Sequence, residues 1–358
     1  MWNSRSCLQT LKPYSIDERE WEVKIDANES PVNLPPLVHE RVISRLSFLP
    51  FNRYPDMSMK SLRELIACSY AVTMDNVLIG NGSSQILETI SYVFGGPGHS
   101  IVFPTPSFSM YGIYAKKSDS QGVPVTLEKD YSLSRDKMLQ AAVQTNASLI
   151  IICNPNNPTG NIMPLEDIEY IVENAKCPVV VDEAYHEFYG GPSAIALLKK
   201  YANLIVARTF SKAYGLAAAR VGYMLACTEL VNTVGKAMMP YNVNALSLTV
   251  AEVVYQMRDE FTAGIEQTVS ERKRMAEFLA DVPGITVYPS ETNFLLIKSD
   301  DAQALNVYLA ERGIGVRDFS NASGLTGCMR VSVGTPVEND VFLQAVKGFR
   351  RVLSNALP

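Results

Sequence analysis

Five short, uninterrupted apolar runs constrain the fold of this chain more than any other feature. They are Val77-Leu-Ile79, Ile101-Val-Phe103, Leu149-Ile-Ile-Ile152, Val179-Val-Val181 and Leu204-Ile-Val206, each bounded by Gly, Pro, Asn or Asp. Side chains of a strand point alternately to its two faces, so a strand apolar at every position needs cover on both. Between the runs, Ser84 to Phe94, Leu165 to Ala175 and Ser193 to Lys199 carry apolar residues at helical spacing. This alternation predicts an α/β fold, a mostly parallel sheet flanked by helices.

Past about residue 245 the pattern changes. A long helical tract is expected from Ala245 to Asp281, with a break near Gly264. Strand-like Ile285 to Val287, Asn293 to Lys298, Ile314 to Val316 and Met329 to Val333 follow, with helices near Ala302 to Glu311 and Val337 to Leu353. That mixture predicts a smaller α+β unit. Prolines at 13, 31, 35, 36 and 50 suggest that the first ~50 residues form an extended arm. The 358 residues suffice for two cores. The expected division is 1–50 as arm and part of a small domain, 51–250 as a large domain, and 251–358 as the small C-terminal domain.

Charge and composition narrow the function. The formal net charge is −5 and no basic run occurs, which argues against a nucleic-acid surface. Six cysteines lie scattered without a C-x-x-C pair, and the three histidines at 39, 99 and 186 are far apart. Neither a disulfide framework nor a metal centre is expected. No stretch approaches a membrane span, and the start of the chain lacks the pattern of a secretory signal, so a cytoplasmic protein is expected.

Five segments that follow predicted strands carry groups suited to chemistry. In Ile79-Gly-Asn-Gly-Ser-Ser84, two glycines permit a tight turn and the amides of Ser83 and Ser84 open a helix, where anions bind. The same residues read equally well as a turn with Ser83 or Ser84 as N-cap. Pro104 to Tyr111 offers Phe108 as a stacking face or as a core aromatic. Asn154-Pro-Asn-Asn-Pro-Thr-Gly160 is a rigid loop or a plain turn. Asp182 closes an apolar strand, where a carboxylate needs a partner or caps the next turn, and Tyr185 follows three residues on. Lys212 lies among small residues and hydroxyls, with Arg220 eight positions later. Most lysines are simply solvated, but one placed so is suited to forming an imine with a carbonyl cofactor. A lysine, an acid, a phosphate cradle and an aromatic face on one rim fit pyridoxal 5′-phosphate.

Motifs in order along nearly the whole chain strengthen this. Leu11-Lys-Pro-Tyr14, Ala27-Asn-Glu-Ser-Pro31, Arg53-Tyr-Pro-Asp56, Asn154 to Gly160, Asp182-Glu-Ala-Tyr185, Ser211-Lys-Ala-Tyr214, Gly315-Val-Arg-Asp318 and Met329 to Thr335 all stand in sequence. With these the chain resembles the fold-type I pyridoxal-phosphate aminotransferases, and within them the histidinol-phosphate aminotransferase family. The resemblance implies that Lys212 forms the Schiff base and shuttles the substrate's α-proton, while Asp182 keeps the pyridine nitrogen protonated. It implies Tyr185 and Asn157 at the ring's 3′-oxygen, and Phe108 stacked on the ring. Gly82, Ser83, Ser84, Thr209, Ser211 and Arg220 would hold the cofactor phosphate. Tyr54 would reach that phosphate across the interface of a homodimer with shared active sites. Substrate contacts would come from Asn157, Arg330 for carboxylate, and Arg317 and Tyr14 for substrate phosphate.

Two departures from the family pattern occur. Ala217-Ala-Ala-Arg220 replaces Ala-Gly-Leu-Arg, and Ser84-Gln85 stands where an acid is common. The implied reaction exchanges an amino group between L-histidinol phosphate and 2-oxoglutarate in histidine biosynthesis. Rival readings keep the cofactor but act on aromatic or general L-amino acids, or decarboxylate threonine phosphate. A ligand-sensing module joined to a DNA-binding domain would need a helix-turn-helix or a basic patch, and the sequence has neither. A dinucleotide fingerprint is also missing.

Overall fold

A computed structural model describes residues 5–9, 11, 13 and 19–356, with side chains up to 349. Strand β1 (Val23–Lys24) comes first. The strands β2 (Val77–Asn81), β3 (Ser100–Thr105), β4 (Gln121–Thr126), β5 (Leu149–Cys153), β6 (Val179–Asp182), β7 (Leu204–Thr209) and β8 (Val221–Ala226) then build one sheet, ordered β2-β8-β7-β6-β5-β3-β4. Strand β8 runs antiparallel to both of its neighbours, and the other pairings are parallel. All five apolar runs are strands here, each lengthened by one to three residues.

Cover on both faces follows the alternation of side chains. Leu149, Ile151, Val180 and Ile205 pack with Ile86, Ile90 and Tyr111 on one face. Ile150, Ile152, Val179, Val181 and Val206 pack with Met138, Ile168 and Ile171 on the other. Two strands of this sheet were not expected from sequence. Strand β4, Gln-Gly-Val-Pro-Val-Thr, carries Gly and Pro and lies at an edge, where a missing N–H is tolerated. Strand β8 starts directly after Arg220 with no turn residue to announce it.

The remaining strands are β9 (Ile285–Val287), β10 (Phe294–Ser299), β11 (Ile314–Gly315), β12 (Arg317–Asp318) and β13 (Cys328–Ser332). Four of them form the antiparallel sheet β12-β13-β10-β9, while β1 pairs in parallel with β11. Val23 and Ile25 thereby enter the same core as Leu295, Ile297, Val331 and Phe342.

Three expectations need correction. Residues 36–46 are not extended: Pro36–Leu46 is a helix that buries Val38 and Val42 in the core shared with Leu248 and Ala251. Proline at the first helical position gives up an N–H that has no partner there anyway, so Pro36 starts this helix. The long tract breaks at the 3-10 turn Arg258–Phe261, and Gly264 lies inside the helix Thr262–Ala280. Ser193 to Lys199 yields only the 3-10 turn Ala194–Leu197.

Candidate active site

The carboxyl ends of β2, β3, β5, β6 and β7 share one rim, and antiparallel β8 begins there. Open α/β sheets bind ligands at such a rim. A cavity of about 290 Å³ opens on it, lined by every proposed site residue of the large sheet from Ser83 to Arg220, and by Arg317 and Arg330. Gly82 is not in this lining but abuts Arg220, which is.

The helix Gly82–Phe94 starts at the end of β2 with no side-chain cap, so Ser83 and Ser84 are not N-caps. Gln85 instead accepts the N–H of Asn81 at 2.7 Å through its side-chain oxygen. First-turn amides have no acceptor within a helix, and two of this helix's, those of Ser83 and Ser84, belong to residues on the cavity wall. Gly82 has φ +75°, and a Cβ there would lie 2.4 Å from Arg220 Nη2. Arg220 donates to Ser211 Oγ at 3.1 Å, and Thr209 Oγ1 accepts the Ser211 N–H at 3.1 Å. A helix start, two hydroxyls and a guanidinium therefore converge as an anion cradle. Arg220 is itself left-handed, φ +54°, as strained residues at functional sites often are.

Asp182 ends β6, buried among apolar strands. It accepts from Tyr111 Oη at 2.8 Å and from the Ala184 N–H at 3.3 Å. Loss of hydration raises its pKa to about 6, and the Tyr111 bond only moderates the rise. A protonated heterocyclic nitrogen beside it would supply the missing compensation. Lys212 Nζ donates to the carbonyls of Ala27 and Asn28 at 3.2 and 3.0 Å. Removal from water, and then the charge of Arg330, lower its pKa to about 7. Much of it is thus a free amine at neutral pH.

Tyr185 Oη accepts from Asn28 Nδ2 at 3.0 Å and Asn157 Nδ2 at 3.3 Å. Burial pushes its phenol up to about 12. Arg330 bonds Asn157 Oδ1 at 2.8 Å and the Asp26 carbonyl at 2.6 Å. Phe108 lines the cavity and meets Tyr111 edge to face, centroids 5.5 Å apart. Arg317 and Arg330, thirteen residues apart in sequence, are direct partners across β12 and β13. Like charges facing each other in a sheet repel, so the pair favours an anion between them. Behind the rim, buried Arg208 bonds Glu183 and Glu187 at 2.8 and 2.9 Å and clamps the ends of β6 and β7.

Tyr54 is not in this group: it is 80% exposed, stacked on Tyr241, and absent from the cavity wall of its own chain. Tyr14 lies outside the described residues. Sequence reasoning missed Tyr111, which reads as one more apolar position of a helix, and Asn28, which stood in a quoted motif without a role.

The family model for aminotransferase class I and II matches residues 22–346. The chain belongs to that family. Among curated relatives, this aminotransferase is 38% identical to the histidinol-phosphate aminotransferase of Thermoanaerobacter sp. (strain X514), covering 96% of this chain and 97% of the relative. It is 40% identical to the enzyme of that name from Thermococcus gammatolerans, covering 95% of each. Among solved structures, histidinol-phosphate aminotransferase from Sinorhizobium meliloti, in complex with pyridoxal-5′-phosphate, superposes with a TM-score of 0.90 at 25% identity, covering 99% of both chains. The aminotransferase thus has the α/β sheet expected from its strand alternation, in the fold-type I arrangement that the family resemblance implied.

Proposed function

We propose that this aminotransferase uses pyridoxal 5′-phosphate to move an amino group from L-histidinol phosphate to 2-oxoglutarate, giving imidazole-acetol phosphate and L-glutamate. One observation carries the reading: a single cavity joins a low-pKa lysine, an under-compensated buried carboxylate, an anion cradle and a facing pair of arginines. The cofactor, when bound, carries the amino group and takes up the electrons released as the substrate's Cα–H bond breaks.

The residues divide that work. Helix amides at Gly82, Ser83 and Ser84, with Thr209, Ser211 and Arg220, hold the cofactor phosphate. Asp182 keeps a proton on the ring nitrogen, and Phe108 lies against the ring. Tyr185 and Asn157 bond the ring's 3′-oxygen. Lys212 Nζ would hold the cofactor's carbonyl carbon and, as a neutral amine, would serve as the base for the substrate's α-proton. Arg330 presents a planar fork to the carboxylate of glutamate. Histidinol phosphate has no carboxylate at that carbon, so its phosphate goes to Arg317, with Tyr14 as a further contact.

We also propose a homodimer. Phe48, Phe51, Tyr54, Met57 and Met239 are all more than 60% exposed, and the Tyr54–Tyr241 stack joins the two stretches that carry them. Such a patch suits a subunit contact, with Tyr54 reaching the partner's cofactor phosphate. The same reading assigns 51–250 to cofactor binding and 251–358 to a small domain, joined by part of 1–50. All six cysteines are free, which suits the reducing cytoplasm.

The test is a steady-state assay with added cofactor. Glutamate should form from histidinol phosphate and 2-oxoglutarate, and Lys212→Ala should abolish its formation. Faster turnover of phenylalanine, or release of carbon dioxide from threonine phosphate, would replace this substrate assignment with another.

A further inference from the structure

Asn28 is only 1% exposed, lies in the left-handed region at φ +55°, and spends every polar group it has. Its N–H donates to Ser332 Oγ at 2.8 Å, and Ser332 Oγ donates back to Asn28 Oδ1 at 3.0 Å. Its carbonyl accepts from Lys212 Nζ at 3.0 Å and from Asn293 Nδ2 at 3.1 Å. Its Nδ2 donates to Tyr185 Oη at 3.0 Å.

These bonds dictate orientation. The Ser332 hydroxyl donates its single proton to Oδ1, which leaves Nδ2 facing Tyr185. Arg330 fixes Asn157 in the same way by taking its Oδ1, which turns that Nδ2 toward Tyr185. Tyr185 Oη thus accepts two N–H donors. Its own proton is left to point elsewhere, and Tyr185 lines the cavity.

We infer that Asn28 is a positioning residue that sets the donor direction and acidity of Tyr185, with its backbone carbonyl holding the released Lys212 Nζ. Ser332 and Asn293 belong to the second sheet region, so Asn28 ties two groups of the large-sheet rim to it. The inference deepens the proposed cofactor chemistry and rests on it. A hydroxyl polarised by two amide donors is a stronger donor to the ring oxygen. Stronger donation stabilises the deprotonated cofactor–lysine linkage and lowers its pKa.

The test is a pH titration of the visible absorbance of the cofactor-loaded protein. Asn28→Gly keeps the left-handed backbone, and with it the carbonyl at Lys212, while deleting the carboxamide. The absorbance midpoint should rise by roughly 0.5–1 unit, the size of one weakened neutral hydrogen bond. Tyr185→Phe should raise it further, and Asn28→Gly should add nothing in the Tyr185→Phe background. In Asn28→Asp the carboxylate captures the phenolic proton, so the midpoint should rise at least as far as in Asn28→Gly. An unchanged midpoint in a folded, loaded Asn28→Gly protein, or a shift that adds in full to that of Tyr185→Phe, would overturn the inference. Failure of the wild type to develop any visible absorbance would instead overturn the cofactor reading.

Discussion

At the scale of single residues, Asp182 and Lys212 both carry charges that the ligand-free fold disfavours. The pKa of Asp182, about 6, lies above the ordinary value near 4, so the folded chain binds the extra proton between those values. Stability therefore falls as pH rises through that window, and the full cost is present above it. Asp182→Asn should stabilise the cofactor-free protein at pH 7.5 by about 1–3 kcal/mol, change little at pH 4, and lower turnover more than about 100-fold. Urea denaturation at the two pH values measures this; a variant less stable than wild type at pH 7.5 would contradict it. Lys212 titrates near 7 rather than near 10.5, so its cost is full below pH 7 and fades as pH rises toward 10.5. Uptake of cofactor by the empty protein should accelerate through pH 7 and level off above it. A rate still climbing with a midpoint near 10 would mean that the amine is not depressed.

Individual elements turn on local geometry. The helix Gly82–Phe94 can start where it does because Gly82 accepts φ +75° and leaves room for Arg220. Gly82→Ala should cost about 1–2 kcal/mol from the backbone alone and weaken cofactor binding at least tenfold. Gly264 makes a useful contrast, since it lies inside the helix Thr262–Ala280 with ordinary φ and open space where a Cβ would stand. Gly264→Ala should stabilise by about 0.5–1 kcal/mol and leave turnover unchanged. Melting curves and cofactor titration of the two variants check both. The same elements explain what could be read in advance. Runs such as Val179–Val181 announce themselves by being apolar at every position between turn residues, whereas β4 hides behind an edge proline and β8 follows Arg220 with no turn residue to mark its start.

For the whole molecule, the proposed sharing of sites between subunits has a direct consequence. Protein lacking Lys212 and protein lacking Tyr54 should each lose activity through a different subunit's contribution. Mixing Lys212→Ala with Tyr54→Ala and allowing subunits to exchange should restore roughly a quarter of the wild-type sites by random pairing. Recovery measured against a mixture kept from exchanging tests this, and no recovery would show that Tyr54 serves its own subunit or none.

Sequence alone determined the strand alternation, the rim that holds Lys212, Asp182, Phe108, Asn157 and Arg220, and the family to which the chain belongs. These are local matters, since burial on both faces and turn chemistry are written in consecutive residues. Tertiary structure decided which groups act on one another. Arg317 becomes the cross-strand neighbour of Arg330 only through the pairing of β12 with β13. Tyr111 becomes the partner of Asp182 across 71 positions, and Asn28 meets Ser332 across 304. Such contacts depend on how sheets and helices pack, and no local periodicity encodes a hydrogen bond between residues that distant. What suits Lys212 to chemistry was legible only once the other strand-end loops were read with it; the carbonyls that hold its amine, those of Ala27 and Asn28, lie 185 and 184 positions before it.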